Sequence, residues 1–105
     1  MRLNEAVEKT KKVSDKMPLP KWGIYQRFAE LNEEVGELAN AIQTEEGFKT
    51  AARKKSEIVD SVCDVLYELL IIAGIYNIDL DGEYEKVLKQ IDARRKKGEF
   101  DHKKD

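Results

Sequence analysis

One cysteine, two prolines, six glycines and one histidine are all that a 105-residue chain holds of these types. A lone cysteine cannot form an intrachain disulfide, which points to a reducing, cytoplasmic setting. So few glycines and prolines do not supply the turns of an all-β domain. No apolar run approaches the ~18–20 residues that span a bilayer, and the first residues are charged rather than signal-like. Charge of one sign is also missing: 19 basic and 21 acidic side chains leave a net charge of −2. There is no single basic face of the kind that binds nucleic acid. The length suits one compact domain over residues 1–105, since domains commonly run ~100–150 residues. From about 97 onward the chain reads as a charged tail with the composition of a disordered segment.

What is present is charge of both signs in abundance, 38% of the residues, unevenly spread. Between Glu30 and Glu68 ten acids face four bases, a net of −6, whereas the remainder carries +4. An acidic middle between basic ends suggests a cation site with an anionic ligand nearby.

The apolar residues recur at helical spacing in four blocks, which predicts an all-α, four-helix arrangement. The first runs from about Leu3 to Met17 and is stopped by Pro18 and Pro20. The second covers about Ile24 to Gln43, with Ile24, Phe28, Leu31, Val35, Leu38 and Ile42 inside roughly 80° of arc. Thr44 to Gly47 reads as a break, and Phe48 to Lys55 as a short helical turn or a loop. The third covers about Ser56 to Asn77 and is apolar nearly all round. A helix of that kind is buried on all sides, and one protomer this short cannot wrap it. Completion by a second copy, as a homodimer or homotetramer, is therefore expected. Asn77 to Gly82 makes a turn with Asp81 a candidate N-cap, and the fourth helix follows over about Glu83 to Lys96.

The third helix has one polar patch. Glu57, Asp60, Ser61, Asp64 and Glu68 fall within about 100° of one another, yet Ile71, Ile72 and Ile75 continue the strip as apolar. It is a local acidic patch on a helix that otherwise favours a dry setting. Two ionised carboxylates ~5 Å apart repel by roughly 3 kcal/mol at an effective dielectric near 20. Such a group persists when some members protonate or when cations compensate it. The second helix carries a matching set, Glu33, Glu34 and Glu37, and antiparallel packing would bring the two together. Glu34 and Glu37 are one turn apart and can reach the same ion. Oxygen ligands without histidine or cysteine favour Mg²⁺, Mn²⁺ or Ca²⁺ over zinc or copper. The di-iron bundle pattern needs Glu-x-x-His, and the one histidine, His102, sits in the tail. Mg²⁺ commonly joins one or two carboxylates to substrate phosphates, so a phosphorylated substrate follows.

Glu33-Glu34-Val35-Gly36-Glu37-Leu38-Ala39, followed twenty residues later by Glu57-Ile58-Val59-Asp60, resembles the EExxE…ExxD signature of the MazG-like nucleotide pyrophosphohydrolases. The resemblance runs from about Arg27 to Ile75. It implies an all-α enzyme that hydrolyses nucleoside triphosphates (NTP or dNTP) with Mg²⁺, or Mn²⁺ in its stead, to monophosphate and pyrophosphate. Its role would be removal of unwanted nucleotides from the pool. It implies Glu34 and Glu37 as metal ligands, joined by Glu57 and Asp60, with Glu33, or whichever carboxylate is left uncoordinated, as general base. In the family an apolar run such as DVL usually follows the ExxD directly, and here that run follows Asp64. In that register Ser61 replaces the glutamate; in the other, Glu57 and Asp60 match and Asp64 is an extra acid one turn on. Glu57, Asp60 and Asp64 share a face and are kept together as ligands.

Arg95 continues the apolar stripe of the fourth helix and reads either as a phosphate-binding arginine or as a snorkelling cation. Lys54 reads as a phosphate-steering or simply solvated lysine. Trp22 is a candidate for stacking on a base or for covering the helix ends. Cys63 falls on the apolar side as a packing residue. A reading of another class remains: a non-catalytic helical interaction module whose acidic patch binds a basic partner.

Overall fold

The computed structural model describes residues 2–18, 20–48 and 57–102. They form four α-helices, α1 (Leu3–Asp15), α2 (Ile24–Glu45), α3 (Ile58–Ile75) and α4 (Leu80–Lys96), with no strand among the described residues. The all-α, four-helix expectation holds, and the boundaries differ in instructive ways.

Helix α1 ends at Asp15, two residues before the expected Met17. The Lys21 ammonium folds back onto its free C-terminal carbonyls, donating to Asp15 O and Met17 O at 2.7 Å each. Helix α2 starts after Gly23, whose N–H donates to the Gln26 carboxamide oxygen at 3.0 Å. It runs on to Glu45, beyond the expected Gln43, because the chain reverses only at Gly47. There φ is +82°, and Phe48 N donates to Gln43 O at 2.8 Å. That 6→1 bond with a left-handed glycine is a Schellman ending.

Helix α3 closes in the same way, two residues short of the expected Asn77. Asn77 itself holds the left-handed position at φ +53°, a conformation asparagine tolerates better than most residues. Ile78 N then donates to Ala73 O at 3.0 Å. At its other end α3 begins at Ile58 with Glu57 as N-cap. Ser56 and the stretch read as a turn or loop over 49–55 lie outside the described residues. Helix α4 begins at Leu80, three residues before Glu83, and its N-cap is Asp79 rather than Asp81, with Asp79 accepting from Gly82 N. Asp81 instead turns to the start of α1, where it accepts from Leu3 N at 2.7 Å.

Helices α2 and α3 form the main packed pair, α1 lies on α3, and α4 meets α1. The core is small: Val7, Leu70 and Ala73, supported by Ala6 and Leu80, with Ala41 buried separately. No residue of α4 is buried. The radius of gyration is 17.6 Å, against about 13 Å for a compact domain of this length. The surface is 8744 Å², against about 6,000 Å² from the usual scaling with mass. The single chain does not enclose its own apolar surface. Val59, at 72% exposure, and the half-exposed Val62, Leu66 and Leu69 form a bare strip along α3. Cys63, expected to pack, is also exposed.

Candidate functional site

An open acidic cleft of 710 Å³ lies between α2 and α3, lined by Glu33, Glu34, Glu37, Glu57, Asp60, Ser61 and Asp64. The six carboxylates expected as ligands or general base all line it, whereas Glu68, grouped with them by helical position, does not. Their convergence follows from two periodicities. Glu33, Glu34 and Glu37 occupy one turn of α2 beside its apolar stripe, and Asp60 and Asp64 are one turn apart on α3. Antiparallel pairing then sets Glu34 close enough to feel the charge of Asp64. Ser61 is buried at 4% exposure among them and supplies a hydroxyl rather than a charge.

The cleft holds more negative charge than it can easily keep ionised. Glu34 has its pKa raised from 4.5 to about 7. Partial burial is the largest cause, followed by a hydrogen bond with Glu30, which needs a proton on one of the two carboxyls, and then by the charges of Asp64, Glu30 and Glu37. Among the described residues no three acids already stand as a closed ligand cage, as mutual repulsion would lead one to expect. The donor set is nonetheless entirely hard oxygen, on two facing helices, with a proton held where a cation would relieve the same repulsion. These residues fit an oxygen-loving divalent ion.

Other sequence candidates are elsewhere. Trp22 is half-exposed outside the acidic cleft, walling a neighbouring hollow of 310 Å³ with Pro18, Pro20, Arg27 and Tyr67. Arg95 is exposed on α4 and pairs with Asp92 at 2.9 Å, and it does not line the cleft. Lys54 lies outside the described residues.

Glu68 departs most from its grouping with the acidic patch. It is buried and pairs with Arg27 at 3.1 Å, with side-chain exposures of 5% and 11%. Its pKa is still raised, because burial outweighs the arginine's opposing charge and hydrogen bond. Arg27 also donates to Ser14 Oγ of α1 at 3.2 Å and lies 5.1 Å from the centre of the Trp22 ring. Sequence reasoning missed this pair. The one available signal was Glu68 at the end of the polar patch, where the helix face turns apolar and a charge calls for a partner.

An all-α protein with acidic faces opposed on two packed helices is the class this fold and cleft define. Residues 26–98 match the family described as "MazG nucleotide pyrophosphohydrolase domain", and the chain belongs to that family. The family points to pyrophosphohydrolase activity, and its enzymes generally depend on a divalent metal. The chain is also similar to the uncharacterized protein YvdC of Bacillus subtilis (strain 168). The two are 27% identical over 104 residues, covering 88% of this chain and 98% of that protein. No solved structure gives a significant match. Among the described residues no helix is long and apolar enough to cross a membrane.

Proposed function

We propose that this chain is a Mg²⁺-dependent nucleoside triphosphate pyrophosphohydrolase that clears unwanted NTPs or dNTPs from the cytoplasm. The observation that carries the reading is the cleft of six carboxylates from two antiparallel helices within a MazG domain. Water adds to the α-phosphorus, the bond from that phosphorus to the α–β bridging oxygen breaks, and the products are nucleoside monophosphate and pyrophosphate.

In this reading Glu34, Glu37, Glu57, Asp60 and Asp64 hold Mg²⁺, or Mn²⁺ in its place. When bound, the cation neutralises phosphate charge and polarises the scissile phosphoryl group. Glu33, exposed at the rim of the cleft, accepts the proton of the attacking water; Glu34 takes that role where it is left unligated. Trp22 stacks on the base of the nucleotide, and Lys54 and Arg95 meet its phosphates. Arg95 reaches phosphate through assembly, since in its own protomer it is paired on α4 with Asp92. A homodimer or homotetramer covers the bare apolar strip of α3.

A panel of NTPs and dNTPs with Mg²⁺, scored separately for pyrophosphate and orthophosphate, tests the proposal. Pyrophosphate with an equal amount of monophosphate is expected from at least one nucleotide. Folded protein that releases none overturns it, and release of orthophosphate alone assigns the wrong bond.

A further inference from the structure

Beyond the acidic cleft, one cation ties together the three elements that surround it. Arg27 reaches α1 through Ser14 Oγ, α3 through Glu68 Oε1, and the segment before α2 through the Trp22 ring. Seven residues separate Arg27 from Glu34, two helical turns on one face of α2. Four separate Glu68 from Asp64, one turn on α3. The buried pair therefore stands in line with the cleft, on the same two helix faces, about 10 Å along α2 and about 6 Å along α3.

The pair is poorly satisfied for a stabilising contact. Arg27 Nε and Glu68 Oε2 are buried and have no hydrogen-bond partner among the described residues. Replacing a buried ion pair by apolar side chains of similar volume is often neutral or stabilising. What such a pair does well is select one alignment, because a slip by a single turn in either direction would part Glu68 from Arg27 and leave the buried carboxylate without its cation. The same slip would carry α2 past α3 by ~5.4 Å and separate Glu34 from Asp64. The apolar stripe of α2 repeats every three to four residues and discriminates weakly against that slip.

We propose that Arg27 and Glu68 are a positioning pair that sets the register of α2 against α3, and so the spacing of the carboxylates across the cleft. They touch neither the cation nor the reacting phosphate. The inference rests on the proposed function for its catalytic consequence, and on geometry alone for its effect on cation binding.

The test uses the full chain with the double substitution Arg27→Met and Glu68→Leu, read by thermal unfolding and by Mn²⁺ binding in electron paramagnetic resonance. The variant is expected to unfold cooperatively at or above the wild-type temperature while its Mn²⁺ Kd rises by about tenfold or more. With an active nucleotide, kcat falls more than KM changes. A folded double variant that binds Mn²⁺ as the wild type does overturns the inference. Should the double variant not fold, Arg27→Lys serves: it keeps the cation but cannot fork to Ser14 and Glu68 together. A weakened Mn²⁺ affinity supports the pair, and an unchanged one overturns it. Wild-type protein that binds Mn²⁺ without releasing pyrophosphate overturns the proposed function alone. Wild-type protein that binds no Mn²⁺ overturns both.

Discussion

Asn4 and Asp81 cap each other's helices. The Asp81 carboxylate accepts from Leu3 N at 2.7 Å at the start of α1, and the Asn4 carboxamide oxygen accepts from Leu80 N at 2.8 Å at the start of α4. The Asn4 amide also donates to Asp79 Oδ1 at 2.8 Å, so three side chains satisfy the first N–H groups of two helices. Because α4 buries nothing in the protomer, this junction is a main attachment of α4 to the rest of the chain. Asn4→Ala and Asp81→Ala should each cost about 1 kcal/mol, the usual value of an N-cap. Their double mutant should deviate from additivity by about 0.5 kcal/mol or more, as coupled neighbours do. Urea unfolding of the two single variants and the pair measures this, and strict additivity would show that the caps act independently.

Glu34 gives the metal-free protein a defined pH dependence. Its pKa is about 7 when folded, against 4.5 as the ordinary value. Between those values the folded state holds a proton that the unfolded state has lost, so stability falls as pH rises through this window. Unfolding temperatures in EDTA should therefore drop from pH 5 to pH 7, and Glu34→Gln should flatten the slope. Saturating Mg²⁺ should oppose the trend, since the cation binds the ionised carboxylate and its affinity grows as the proton leaves. A metal-free protein whose unfolding temperature rises across the same interval would contradict the assignment.

The acidic cleft is legible in the amino-acid sequence because both helices write it at 3.6-residue spacing on faces that are otherwise apolar. Glu34, Glu37, Asp60 and Asp64 need only the assumption of antiparallel packing. Glu68 is not legible in that way. It shares the angular sector of Asp64, and its partner Arg27 lies 41 residues away, so helical position alone cannot separate a cleft acid from a buried pair. The start of α4 is hidden for a related reason. Asp79 and Asp81 are equally good N-caps in isolation, and the choice between them is made by Asn4 of a distant helix. The ends of α2 and α3 fall two residues from their expected positions, because Gly47 and Asn77 mark the chain just past the helix rather than its last turn.

The two readings of the third-helix motif separate by substitution. If Asp60 and Asp64 both hold the cation, Asp60→Asn and Asp64→Asn should each weaken Mn²⁺ binding by about 10–100-fold. Glu57 is the N-cap of α3, with no cap hydrogen bond from its side chain, and is less firmly fixed than residues inside the helix. Glu57→Gln should have the smallest effect of the three. Ser61→Ala should leave Mn²⁺ affinity unchanged within about twofold, on the order of 0.4 kcal/mol, since the hydroxyl adds no charge. Titration of Mn²⁺ into the four variants decides the order, and a dominant loss at Glu57 would favour the other register.

Oligomerisation should follow the bare strip of α3. Val59, Val62, Leu66 and Leu69 lie roughly opposite the carboxylates around the helix axis, so a second copy can cover them without closing the cleft. Val62, Leu66 and Leu69 are each between 45% and 48% exposed. Covering the rest of such a side chain is worth on the order of 1 kcal/mol. Four such side chains, doubled by symmetry, would contribute about 8 kcal/mol, of the same order as the entropy cost of association. Leu66→Glu would place a charge at the centre of that contact, twice over in a symmetric dimer, at little cost to the lone protomer. The expected result in light scattering after gel filtration is a dimer or tetramer for the wild type and a monomer for Leu66→Glu. Helicity should be largely kept, because residue 66 is already 45% exposed in the single chain. If Leu66→Glu leaves the mass unchanged, the strip is not the interface. If the monomeric variant also loses nucleotide hydrolysis while keeping Mn²⁺ affinity, the acidic cleft binds its cation within one protomer and needs the second copy for its substrate.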